Sequence, residues 1–125
     1  MEGIGKKSWA VPEGYLPTWS KGPDPQMTGH GTLSILNTNK KEANIQITLY
    51  FSDRGPAGPY KFTIPPERTS HLRFNEFEDP EKVPKGKDFA SALESDVPVV
   101  VQHTRLDSRQ EANALMTTMA FPGLD

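Results

Sequence analysis

Ala43-Asn44-Ile45-Gln46-Ile47-Thr48-Leu49-Tyr50-Phe51 decides the fold class: Ile45, Ile47, Leu49 and Phe51 alternate with Asn44, Gln46, Thr48 and Tyr50. Successive side chains of an extended chain point to opposite sides, so this stretch buries one face and wets the other. On its N-terminal side, from His30, Leu33 and Ile35 alternate with Thr32 and Ser34 until Asn37-Thr38-Asn39-Lys40, a turn by composition. The two runs together read as an antiparallel hairpin. On the C-terminal side Arg54-Gly55-Pro56-Ala57-Gly58-Pro59 is a breaker. After it Tyr60, Phe62 and Ile64 share one face of a strand that ends at Pro65-Pro66, neither of which can donate to a ladder.

Further out, Ser70 to Phe74 alternates again, and a polar loop runs from Asn75 to Lys87. Phe89 to Glu94 is ambiguous, since Ala90, Ala92 and Leu93 favour helix while the neighbouring strands favour β; it is read as a strand. Val97 to Thr104 alternates cleanly, and its Pro98 suggests an edge strand or a strand's opening residues. Glu111 to Phe121 fits both periods, and the β context favours strand. Ser8 to Val11 is a short strand at the other end, followed by a Pro- and Gly-rich loop from Pro12 through Gln26; strand and loop make up residues 1–28, with Trp9, Tyr15 and Trp19 in or beside the loop. About eight strands at this spacing describe an all-β, antiparallel β-sandwich, expected as a single domain over residues 1–125.

Composition narrows the function. The chain of 125 residues has no cysteine, which excludes disulfides, thiolate metal sites and a cysteine nucleophile. With 14 basic and 16 acidic residues the net charge is −2, so there is no global basic field for nucleic acid. No stretch has the length of a signal peptide's apolar core or of a membrane span, and a cytoplasmic protein is expected. There is no Gly-x-Ser-x-Gly elbow, no His-Glu-x-x-His and no phosphate-cradling glycine loop, so the chain is read as non-catalytic, with no cofactor.

Two strands end in polar clusters. His71, Arg73 and Asn75 share a parity in the first; His103, Arg105 and Asp107 share one in the second, with Gln102 and Thr104 pointing oppositely. A sheet face carrying these groups supplies donors, acceptors and fixed positive charge suited to a polyhydroxylated or anionic small molecule. The alternative is a plain solvated face, on which Arg105 and Asp107 form an ordinary ion pair. His30, His71 and His103 could hold a metal only if they converged, and their separations carry no ligand-spacing signature, so no metal is expected. Trp9, Tyr15 and Trp19 with Glu13 and Gln26 form a second aromatic and polar group, suited to stack on a sugar ring, although a plug at one end of the sandwich and a subunit contact together outweigh that role.

Several motifs recur together: Ser8-Trp9-Ala10 with Glu13-Gly14-Tyr15, Gly58-Pro59-Tyr60, Arg68-Thr69-x-His71-x-Arg73-Phe74-Asn75, and the run Val97-Pro98-x-Val100-Val101-Gln102-His103-Thr104-Arg105-Leu106-Asp107-Ser108-Arg109-Gln110. In this order they resemble the sensory rhodopsin transducer family over nearly the whole chain. The resemblance implies a soluble cytoplasmic β-sandwich that assembles as a homotetramer, meets the cytoplasmic face of a microbial rhodopsin and relays its signal. It also implies a role as a small-molecule, carbohydrate-related binding domain, and a proposed contact with DNA that the charge balance does little to help. The expected ligand-binding residues are His71, Arg73, Asn75, Gln102, His103, Arg105 and Asp107, with Trp9 and Glu13 beside them.

Overall fold

A computed structural model of the chain describes residues 3–16, 30–107 and 114–123. The described residues form eight strands and one 3-10 turn: β1 (Lys6–Val11), β2 (His30–Asn37), β3 (Ala43–Phe51), β4 (Ala57–Ile64), β5 (Arg68–Arg73), the turn Phe74–Glu76, β6 (Phe89–Asp107), β7 (Ala114–Met119) and β8 (Phe121–Pro122). All pairings are antiparallel, and the sheet does not close into a barrel. One sheet runs β4-β3-β6-β1-β8, and a second is built from β5-β2-β6-β7. Strand β6 belongs to both, so the two sheets form a sandwich hung on one strand.

The alternation that announced β3 is kept: Ala43, Ile45, Ile47 and Leu49 are buried while Asn44, Gln46 and Tyr50 are exposed. These residues pack against Leu33 and Ile35 of β2, Tyr60 and Ile64 of β4, and Val97, Val99 and Val101 of β6. Phe77 adds an aromatic group, its ring centroid about 5 Å from those of Tyr60, Phe62 and Phe74. The tail is a strand, as the β context favoured, but it is divided at Ala120 into β7 and β8.

Four expectations change. The strands expected at Phe89 to Glu94 and Val97 to Thr104 are one strand of 19 residues. Pro98 is therefore neither at an edge nor at an opening. It lies between the last β3 pair of β6, at Ser95, and the first β2 pair, at Val100, where the strand passes from one sheet to the other and neither of those ladders needs its missing N–H. The breaker at Gly58-Pro59 sits inside β4, in a bulge between the pairs Ile47–Tyr60 and Leu49–Ala57. Phe74 does not end β5 but turns inward, so Asn75 stands on a 3-10 turn rather than on the strand.

The fourth change concerns the hairpin. β2 pairs with β5 and β6, while β3 pairs with β4 and β6, so the two runs lie in different sheets. Asn37, fully buried, supplies the physical reason. Its Oδ1 accepts from the backbone and side-chain N–H groups of Asn39 at 3.0 and 2.8 Å, and its Nδ2 donates to the carbonyls of Lys41, Ile64 and Pro65 at 3.0 to 3.2 Å. The Asn39 amide also donates to the Pro98 carbonyl at 2.8 Å. This knot satisfies the backbone of a corner, and the corner carries the chain across the sandwich instead of folding it back on itself.

Strand β1 is held by a comparable device. The indole N–H of Trp9 is shared between the carbonyls of Lys6 and Val99, both at 3.0 Å, across a register shift between Lys6 and Ser8. Gly5 has φ +111°, and a Cβ there would lie 2.0 Å from the Val99 carbonyl oxygen, so the approach to the bulge demands glycine.

Candidate functional site

The pairing register divides the expected site residues between two faces. Ser34 opposes His71 on β5 and Gln102 on β6, while Thr32 opposes Arg73 and Thr104. His71, Arg73 and Gln102 therefore share the outer face of the second sheet. His103 opposes Leu33, and Arg105 opposes Gly31, which puts both on the inner face. Parity within each strand follows the alternation, but the two clusters do not form one surface. The side chain of Asp107 lies outside the described residues, as do Trp19 and the remainder of residues 17–29.

The outer face is a shallow hollow of about 270 Å³ lined by Ser34, Leu36, Thr69, His71, Val100, Gln102 and Met119. His71 Nδ1 lies 2.8 Å from the Ser34 hydroxyl. Leu36 and Met119 are exposed there, at 41% and 54%. Farther along the face the hydroxyls of Thr104 and Thr117 are 2.6 Å apart.

Of the two inner-face residues, His103 opens into a different place, a cleft of about 370 Å³ between the end of β1 and the β7–β8 corner, while Arg105 stands behind the Glu13 wall of that cleft. Val11, Pro12 and Glu13 form one wall; Thr118, Met119, Ala120, Phe121 and Pro122 form the other, with His103 between them. Both walls are tied down. The Phe89 N–H donates to the Gly14 carbonyl at 3.0 Å, and the Gly86 N–H donates to the Leu16 carbonyl at 2.8 Å. On the other wall the Ala120 N–H donates to Val101 and the Gly123 N–H to Ser8. Gly14 allows the first wall to sit this close, because a Cβ there would come within 2.6 Å of the Phe89 ring.

His103 is 4% exposed, and Phe74 meets its ring edge-on. No described residue hydrogen-bonds its imidazole. Burial, the main cause, holds its pKa below the ordinary value, the Glu13 charge pulls the other way, and the Arg105 charge reinforces the burial. Two residues along the same face, the Arg105 guanidinium is paired with the Glu13 carboxylate and stacks over Tyr15, 5.5 Å from the ring centroid. Glu13 is thus one partner of Arg105. Trp9 is not in this cleft; its indole is spent on the β1 bulge.

Thr118 and Phe121 belong to the cleft, and sequence reasoning did not name them as site residues. No motif marks either one; only the settled strand parity of the tail brings them there. Among the described residues no group of three His, Asp or Glu side chains could hold a metal ion. No helix of the described residues is long and apolar enough to cross a membrane.

Fold and cleft together define a small antiparallel β-sandwich with a polar-floored recess at one end. Within that class, residues 4–122 match the family model described as Anabaena sensory rhodopsin transducer, and the chain belongs to this family. The solved structure titled Anabaena sensory rhodopsin transducer is 46% identical, with a TM-score of 0.74 over 83% of this chain and all of that one. The crystal structure of Thermotoga maritima 1070 is 34% identical, with a TM-score of 0.85 over 95% of this chain and 96% of that one. No curated protein sequence matches the chain.

Proposed function

We propose that this chain is a soluble, non-catalytic signal transducer of the cytoplasm that binds a microbial sensory rhodopsin and passes on its signal as a homotetramer. The observation that carries the reading is the family match across residues 4–122, joined to 46% identity over the full length of a sensory rhodopsin transducer. The exposed Leu36 and Met119 on the outer face of the second sheet support an assembly through that face. The test is titration of the purified chain into a sensory rhodopsin held in nanodiscs, in the dark and under illumination, with mass measured by light scattering. Saturable binding that changes with light, by a particle of four chains, is expected. A monomer with no affinity in either state would overturn the reading.

A second reading is favoured by one observation, the nine-tenths-buried imidazole of His103 in a cleft with no described hydrogen-bond partner. A ring with one donor and one acceptor position in a cleft suits a bound small molecule, including the carbohydrate-related compounds that the family resemblance suggests. A thermal-shift screen against sugars, sugar acids and common metabolites tests it. A stabilising compound whose effect vanishes in His103→Ala is expected, and an unbroken absence of shifts would overturn it.

A further inference from the structure

The two members of the Glu13–Arg105 pair differ in how firmly they are built in. The Arg105 side chain is 18% exposed and that of Glu13 is 57% exposed. Arg105 rises from the middle of the second sheet, between β2 and β7, and its guanidinium rests on Tyr15. Tyr15 is in turn bridged to Asp88. The cation is a fixed part of the sandwich, whereas the carboxylate reaches it from the solvent side, on the segment that forms one wall of the cleft.

A guanidinium this far from water needs an anion, because an unpaired buried charge is costly. It does not need this particular anion. Arginine presents a planar fork that matches any carboxylate. The mostly exposed Glu13 loses little when it returns to water. The recess beside it is lined by Val11, Pro12, Ala120, Phe121 and Pro122, an apolar sleeve, with the His103 imidazole as a second polar contact. Phe121 is 71% exposed at the mouth, a large apolar ring with nothing over it among the described residues.

We infer that the cleft binds a small molecule made of a carboxylate on an apolar body. The ligand carboxylate replaces Glu13 on Arg105, the body lies between the Val11–Pro12 wall and Phe121, and a further polar atom reaches His103. Glu13 in the unliganded chain is an internal stand-in for that carboxylate. This inference rests on the ligand-binding reading above and adds to it the chemical class of the ligand and the group that it displaces. Binding would also detach the Glu13 side chain from β6, while the Gly14 and Leu16 backbone hydrogen bonds keep the wall that follows β1 in place.

The experiment uses the full chain and matched probe pairs: 3-phenylpropionate with 3-phenylpropionamide, and hexanoate with hexanamide. Nitrogen and carbon chemical shifts report on the His103 ring, Thr118 and Phe121, and thermal shift reports on affinity. The carboxylates are expected to bind about tenfold more tightly than the amides, because only they set a negative charge against the guanidinium in the place of Glu13. Glu13→Gln removes the internal competitor and should tighten carboxylate binding by roughly three- to tenfold, leaving the amides unchanged. Arg105→Met should abolish the preference. Phe121→Ala, at an exposed position with little effect on folding, should weaken both members of each pair.

Amides that bind as well as carboxylates, or a Glu13→Gln chain that binds carboxylates more weakly, would overturn the carboxylate inference and leave the ligand reading standing. If neither member of either pair moves the His103 resonances, the carboxylate inference falls, and the ligand reading is decided separately by the screen against sugars, sugar acids and metabolites.

Discussion

The Phe74 ring meets the His103 imidazole at an interplanar angle of 62°, with centroids 6.5 Å apart. Phe74 is the residue at which β5 gives way to a 3-10 turn, so the end of one strand shields the histidine of another from water. That shielding has a pH consequence. Burial lowers the pKa of His103 in the folded chain below 6.5, so the unfolded chain takes up the proton first. Stability is fully present above about pH 6.5 and falls as the pH drops toward the lowered folded value. Denaturant unfolding between pH 5 and pH 7 should give free energies that rise with pH, and His103→Gln should flatten this part of the curve. Asp53, Glu81 and Asp96, whose pKa values are also lowered, act at more acidic pH. A slope unchanged in His103→Gln would assign the proton elsewhere.

Asn37 is the most demanding polar residue of the core. Replacing it by Leu would strand the carbonyls of Lys41, Ile64 and Pro65 and the N–H of Asn39. Leaving a buried group unsatisfied costs about 1–3 kcal/mol, so a total loss of about 3 kcal/mol or more is expected. Equilibrium urea unfolding measures it directly. A loss below about 1 kcal/mol would mean that the corner is held by the flanking strands alone.

Trp9 offers a gentler test of the β1 bulge. Trp9→Phe keeps a large ring but removes the N–H shared by Lys6 and Val99. A loss of about 1–2 kcal/mol is expected, together with faster hydrogen exchange at the start of β1. Unchanged exchange there would show that strand pairing, not the indole, holds the bulge.

Gly14→Ala should act on the cleft wall. Its Cβ would meet Phe89 Cε2 at 2.6 Å, and because Phe89 lies in the core, the segment carrying Glu13 is the part free to move away. Overpacking of this kind costs about 1–3 kcal/mol. The expected signature is lowered thermal stability together with weakened Glu13–Arg105 pairing, visible as a shift of the Arg105 side-chain resonances. An unshifted Arg105 would mean that Phe89 yields instead.

Legibility in the sequence followed the range of the interaction. The alternation in β3 depends only on nearest neighbours, and it was readable as written. The fusion of two expected strands into β6 was not, because Pro98 reads as punctuation until a place exists where two ladders hand over. Strand order was hidden for a similar reason: adjacency in sequence suggested a β2–β3 hairpin, and the side chain of Asn37 decided otherwise. For the site, parity within each strand was legible, so His103 and Arg105 were correctly set apart from Gln102 and Thr104. Whether His71 and Arg73 join them depends on the register between strands, which no local pattern carries. Glu13 could be named, but its partner 92 positions away could not.

The shared strand also sets the order in which the molecule can come into being. β6 lies near the end of the chain, at residues 89–107, yet it pairs with β1, β2 and β3, all of which precede it. A chain emerging from the ribosome therefore holds two half-sheets with no common axis until β6 appears. Both sheets must then close over long sequence separations almost at once, the regime of slow, late and concerted folding. Truncation anywhere before residue 107 would leave no smaller folded intermediate to fall back on.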